Sequence, residues 1–168
     1  DMPPDVLEPY SWHKLSLEYA CKMYSKVYKV PCVIFRFFQV YGEFQRADTA
    51  LAAFMKAKKE GKPITLTETT AQSSFRAGQR DFIYAGDLAE AVVLAMESDL
   101  DGEVLNVSFS EVHTMEEIAQ VLEAEVVWIP RREYEVERHL GSISKIKELL
   151  GWKPKTDVIQ WLKSVSIL

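Results

Sequence analysis

The chain has 168 residues, 48% of them apolar and 27% charged, with a formal net charge of −5. That is enough for one domain with its own core. The acidic balance gives no electrostatic case for nucleic acid, and no apolar run reaches the ~20 residues that span a bilayer.

Cys21 and Cys32 stand apart, with no Cys-x-x-Cys and no second ligand pair. That argues against a metal site. Two free thiols fit a reducing compartment, so the expected location is cytoplasmic. Residues Asp1-Met2-Pro3-Pro4-Asp5 lack the charged-then-apolar pattern of a secretory signal. They read as a loop from mid-protein, and the expectation is a fragment.

Residues 10–29 place Leu15, Tyr19, Ala20, Met23, Val27 and their neighbours at helical spacing, and Pro31 ends the pattern. Cys32-Val33-Ile34-Phe35-Arg36-Phe37-Phe38 reads as a buried strand that expects parallel neighbours on both sides. Residues 39–42 turn away from it. A helix is predicted from about Asp48 to Glu60, capped by Asp48 or Thr49 and stopped at Gly61. Pro63 to Thr67 is a short strand. The polar, aperiodic stretch Thr69 to Gln79 is a loop.

Asp81 to Tyr84 is extended, and Asp87 is expected to cap a helix reaching about Ser98. Val104 to Val107 is a strand. Thr114-x-x-Glu117 is a capping box that opens a helix to about Glu123. Val126 to Pro130 is extended, Ser142 to Leu150 is a helix closed by Gly151, and a last helix begins at Thr156 or Asp157. Strand and helix patterns alternate, which predicts an α/β fold with a partly parallel sheet. Trp12 and Trp152 read as packing residues, and His13, His113 and His139 as solvated or structural.

The chemistry concentrates at the start. Tyr10 and Lys14 lie four apart on one helix face, roughly 5–6 Å between Cβ atoms. An ammonium near a phenol favours the phenolate and draws the tyrosine pKa down from about 10. Such a tyrosine can exchange a proton with a sugar or alcohol hydroxyl. The same spacing also describes an ordinary surface pair. The seven glycines are scattered and form no Gly-x-Gly-x-x-Gly, so the dinucleotide phosphate cradle that opens many α/β folds is not in this sequence.

Several motifs then stand in one order. Pro9-Tyr10-x-x-x-Lys14 is followed by Arg36-Phe37-Phe38-Gln39-Val40-Tyr41-Gly42, Gln79-Arg80-Asp81-Phe82-Ile83-Tyr84 and Val104-Leu105-Asn106-Val107. Arg132 and Ser144-Lys145 through Leu149-Leu150-Gly151-Trp152 complete the set. Over nearly its whole length the chain resembles the C-terminal half of the extended short-chain dehydrogenases/reductases, the NAD-dependent nucleotide-sugar epimerases and dehydratases. The resemblance implies the C-terminal part of a Rossmann-like doubly wound fold plus a small substrate-binding α/β subdomain. Residues 1–46 would end the Rossmann-like domain. Residues 47–168 would be mainly the substrate subdomain, with 81–107 returning toward the Rossmann sheet.

It implies Tyr10 and Lys14 as catalytic residues. Tyr10 would be the acid/base, while Lys14 holds the nicotinamide ribose. The backbone at Phe37 and Phe38 would lie against the nicotinamide of NAD or NADP. Gln39 would contact substrate, and Arg80 and Arg132 would clamp its diphosphate, work suited to a planar bidentate cation. Competing readings stay open. Arg36 suits a structural ion pair, Arg80 suits a surface pair with Asp81, and Asn106 suits a strand-end hydrogen bond.

Departures are visible too. Gln39 stands where Asn is usual, Glu43-Phe44-Gln45 where Pro-Gly-Gln is usual, and Ser142 where Asp is common. The expected function is the substrate-binding portion of an epimerase or dehydratase, inactive alone. The alternatives are a non-catalytic nucleotide-sugar-binding module or half of a split enzyme. The apolar strand edge and helix face invite a partner, either a homodimer or an N-terminal half.

Overall fold

Pro9 sits in the first turn of a helix, where its missing N–H costs nothing. A computed structural model describes residues 9–70, 76–131 and 135–165. The elements run α1 (Pro9–Tyr28), β1 (Val33–Phe37), β2 (Gln39–Tyr41), α2 (Ala50–Lys59), β3 (Ile64–Thr67), β4 (Gln79–Tyr84) and α3 (Ala85–Met96). They continue with β5 (Glu103–Val107), β6 (Val112–Thr114), α4 (Met115–Val121), β7 (Val126–Ile129), β8 (Arg138–His139), α5 (Ser144–Leu150) and α6 (Val158–Ser164). The alternation read from the sequence is present, and the fold is α/β with parallel pairs. Among the described residues, no helix is long and apolar enough to cross a membrane.

Three small sheets carry the chain. β1 pairs with β5 in parallel, Phe35 opposite Leu105. β4 pairs in parallel with β2 and β8 and antiparallel with β6. β3 pairs in parallel with β7.

Residues 39–41 do not turn away as expected. The run simply changes partner. Phe38 N–H donates to the Val107 carbonyl at 3.1 Å, and the next residues pair with β4 instead of β5. The short β6 and β8 carry no periodicity that a sequence could show.

Alternation on β2 and β4 makes their sheet the wall between two cores. Tyr41 and Phe82 join a cluster with Leu51, Ile64, Leu66, Ile118 and Trp161. Their neighbours Val40 and Ile83 point the other way, into a cluster with Leu105, Val107, Ile146 and Trp152. Successive strand side chains face opposite sides, so one strand serves both cores. The Tyr41 hydroxyl, buried here, donates to the Thr156 carbonyl at 2.7 Å.

Three further expectations need correction. Asp87 does not cap α3. Tyr84 is the N-cap residue, with no side-chain bond. Asp87 is instead buried in the first turn, where its carboxylate accepts from the Lys155 and Thr156 amides at 2.8 Å each. The segment 32–38 is not fully buried: Arg36 and Phe37 are exposed, because among the described residues β1 has β5 alone as a neighbour. Trp12 is 59% exposed and packs in neither core, whereas Trp152 is 2% exposed. The alternative left open for Arg80, a surface pair with Asp81, is not formed: consecutive residues of β4 face opposite ways, and Asp81 is buried.

Other expectations hold. Thr49 caps α2, Thr114 and Glu117 form the capping box of α4, and Asp157 caps α6. Gly151, at φ 65°, closes α5. Arg36 forms its ion pair, with Glu18 at 2.6 Å. Asn106 donates from the strand to the Ser142 carbonyl at 3.3 Å.

The Asp87 arrangement yields a test. Asp87→Ala leaves two backbone donors without acceptors, a loss of about 1–3 kcal/mol per buried donor. Urea unfolding should show a shift of that order, and a change below about 0.5 kcal/mol would contradict the assignment.

Candidate functional site

The sequence-predicted residues fall into two places joined by the β1–β2 link. In the first, α1 leans on β1 and leaves a cleft of about 500 Å³ lined by Tyr10, Ser11, Lys14, Glu18, Ile34 and Phe37 among others. Tyr10 is 64% exposed. The Lys14 ammonium lies over its ring, 5.4 Å from the centroid, within cation–π range. The one-turn spacing read from the sequence therefore does bring these two side chains together. Phe37, at the end of β1, borders the same cleft.

Phe38 is elsewhere. Its ring packs edge-on to His139, with centroids 6.5 Å apart. A Cβ added at Gly141 would sit 2.7 Å from that ring and 2.6 Å from Ser108 Oγ, so only glycine fits there.

The second place is a cavity of about 170 Å³ between β2, β3, α2 and the start of β4. Gln39 and Arg80 both line it, with Thr49, Thr65, Thr67 and Glu135. Arg80 spends one nitrogen, Nη1, on the carbonyls of Gln79 (2.9 Å) and Glu137 (3.4 Å). Its other N–H groups make no bond within the described residues. Burial holds the guanidinium below its ordinary pKa, against the opposing pull of Glu135. Gly78 makes room for it: at φ +64°, a Cβ there would meet Arg80 Nη1 at 2.9 Å.

Glu135 is the residue that sequence reasoning missed. Thr67 donates to its Oε1 at 3.2 Å. Its Oε2 is buried with no hydrogen-bond partner within the described residues. A buried carboxylate oxygen without a donor is costly, and one inside a cavity beside a cation marks a place for a ligand hydroxyl or N–H. The signal was available. Glu135 stands third after Arg132, at the acidic end of the segment that resembles Arg-Pro-Gly-Asp. Arg132 itself lies outside the described residues.

Asp81 assembles this region from below. It is fully buried. One carboxylate oxygen accepts from the amides of Phe109 (2.9 Å) and Ser110 (3.2 Å), the other from that of Gly141 (3.0 Å). Burial pushes its pKa up, opposed by those hydrogen bonds and one from Ser108.

The first 108 residues match the sequence model of the NAD dependent epimerase/dehydratase family. The chain belongs to that family. An uncharacterized UDP-glucose epimerase of Bacillus subtilis is 30% identical over 159 residues, covering 90% of this chain and 48% of the relative. A UDP-glucuronate 4-epimerase of Thermodesulfobacterium geofontis is 29% identical over 164 residues, covering 94% and 49%.

Among solved structures, UDP-glucuronic acid 4-epimerase from Bacillus cereus, in complex with UDP-glucuronic acid and NAD, superposes with a TM-score of 0.85. Its identity is 31%, and the match covers 97% of this chain and 52% of that one. UDP-glucose 4-epimerase of Thermus thermophilus, in complex with NAD, gives 0.84 at 30% identity, covering 96% and 53%. The chain thus spans about half the length of the epimerase/dehydratase relatives it matches.

Two tests follow from the cavity. His139 has its pKa drawn down by burial and by Arg80. Its NMR titration midpoint should lie below the ordinary value of about 6.5, and Arg80→Ala should move it back up; an unmoved midpoint would place the guanidinium elsewhere. Gly78→Ala combines left-handed strain with displacement of Arg80, and should cost on the order of 1 kcal/mol in thermal unfolding.

Proposed function

We propose that this chain is the nucleotide-sugar-binding portion of an NAD-dependent epimerase or dehydratase. Its diphosphate and hydroxyl subsites are built around Arg80 and Glu135. The observation that carries this is the buried Oε2 of Glu135, which has no partner among the described residues, in a cavity where Arg80 commits only Nη1 among those residues. A sugar nucleotide supplies both complements, an anionic diphosphate for the guanidinium and hydroxyl donors for the carboxylate. The UDP-sugars in the names of the matched relatives support uridine nucleotides as the first class to test.

Gln39 borders the same cavity and takes the place of a sugar-contacting amide. Arg132 is carried as the second diphosphate cation. The packing of 83, 91, 105, 107, 146 and 152 into one cluster supports a division near residue 46 with 81–107 returning, and adds 143–152 to that side.

Tyr10 would exchange a proton between its phenol oxygen and a sugar hydroxyl, with Lys14 one helical turn away supplying positive charge. The α1–β1 cleft, with a hydroxyl, an ammonium and an aromatic edge, fits the nicotinamide end of the cofactor. NAD, when bound, accepts the hydride from the sugar carbon. Lys14 would hold the nicotinamide ribose, and Phe37 would close the cleft against water.

The phosphate cradle has no counterpart in this sequence. The 168 residues alone should therefore bind a sugar nucleotide and not turn it over. β1, which has β5 alone as a neighbour among the described residues, favours completion by a dinucleotide-binding half over a free-standing binding module.

Calorimetric titration of the chain with UDP-glucose, UDP-glucuronic acid and NAD separately tests this. A UDP-sugar should bind without NAD, and Arg80→Ala should weaken it at least about tenfold. Tight NAD binding alone, or UDP-sugar binding indifferent to Arg80, would overturn the reading.

A further inference from the structure

Tyr10, Lys14 and Glu18 follow one another on α1 at intervals of four, so they share one helix face. All three line the α1–β1 cleft. A glutamate one turn from a lysine is that lysine's nearest available counter-ion. The pairing does not form here. Among the described residues no carboxylate lies within ion-pair distance of Lys14, and its ammonium stands over the Tyr10 ring, 5.4 Å from the centroid.

Glu18 is taken from the opposite side of the cleft. Arg36 of β1 meets it with two bonds, Nε to Oε1 at 2.6 Å and Nη2 to Oε2 at 2.7 Å. Both carboxylate oxygens are engaged in the fork geometry that a guanidinium offers and an ammonium does not. The Glu18 side chain is 14% exposed, so the pair is sheltered on its acidic side. Its hydrogen bond to Glu18 raises Arg36 above its already high ordinary pKa, so the guanidinium stays charged.

We infer that Arg36 is a positioning residue for the Tyr10–Lys14 pair: its two-pronged hold keeps the Glu18 carboxylate off Lys14 and leaves the lysine charge to the tyrosine. This rests on the proton-transfer role proposed above for Tyr10 and Lys14. Neither Arg36 nor Glu18 needs to touch a ligand. A mere tie between α1 and β1 would need no charge at this point. The Ser25 hydroxyl donating to Asp101 at 2.8 Å and Cys32 Sγ donating to the Cys21 carbonyl at 3.4 Å already fasten the helix there. Lys22, exposed and one turn beyond Glu18, is the other cation that a released carboxylate would meet.

Acetylation of tyrosines by N-acetylimidazole at fixed pH, read by peptide mass spectrometry, tests this on the 168-residue chain. The reagent consumes phenolate, so positive charge beside a tyrosine speeds its reaction. Tyr19, on the same helix and 66% exposed against 64% for Tyr10, is the internal reference. Lys14→Met should lower the Tyr10-to-Tyr19 rate ratio. Arg36→Ala should lower it about twofold, as Glu18 divides between Lys14 and Lys22, and adding Lys22→Gln should deepen the loss. Arg36→Ala combined with Glu18→Gln should restore the wild-type ratio, and Arg36→Lys should keep most of it.

A ratio lowered by Lys14→Met but unchanged by Arg36→Ala would overturn the inference and leave the Tyr10–Lys14 pair standing. A ratio lowered equally with and without Glu18→Gln would make Arg36 a structural tie and overturn it too. No effect of Lys14→Met would remove the pair itself, and the inference with it.

Discussion

One buried carboxylate fixes the geometry on which the candidate site depends. Asp81 sits at the centre of β4 and takes three backbone amides from two segments distant in sequence, residues 109–110 and residue 141. Each is a charge-assisted bond in a dry setting, where an acceptor is worth more than at the surface. Those bonds hold the loop after β5 and the chain just after β8 against β4. Arg80 precedes Asp81 and faces the other way, so fixing one side chain aims the next. The carbonyls of Gln79 and Glu137 then hold Arg80 at the cavity wall.

The two-core arrangement makes this possible. β2 and β4 give alternate side chains to each core, so their backbone is clamped from both faces and the cavity at their edge has a rigid floor. Gly78 and Gly141 are the close-approach points, one under Arg80 and one under Phe38. A side chain at Gly78 would push Arg80, and one at Gly141 would push Phe38 and Ser108. By contrast, the α1–β1 cleft is loosely enclosed. Tyr10 and Lys14 are set by a helix in which no residue is buried, and Phe37 stands exposed at the end of β1.

The elements with strong periodicity or end signals were legible before any coordinates. Thr49, Thr114 with Glu117, and Asp157 cap the helices where their side-chain chemistry demands, and the Arg36 ion pair follows from an isolated arginine inside an apolar run. What failed has a common cause, which is tertiary context. Asp87 reads as a cap because caps are local, but its Oδ2 accepts from the amides of residues 155 and 156. β6 and β8 exist only because β4 offers them edges. Trp12 looks like core because large aromatics usually are, and here it lies on an uncovered face. Glu135 was within reach, since the motif containing Arg132 ends in an acid, yet its role needs the cavity to be seen.

A crystal structure of the chain with UDP-glucose tests the central claim most directly. The account predicts diphosphate oxygens against the Arg80 guanidinium and a ligand hydroxyl within hydrogen-bond distance of Glu135 Oε2. A nucleotide seated elsewhere on the chain, with Glu135 Oε2 still unpartnered, would contradict it.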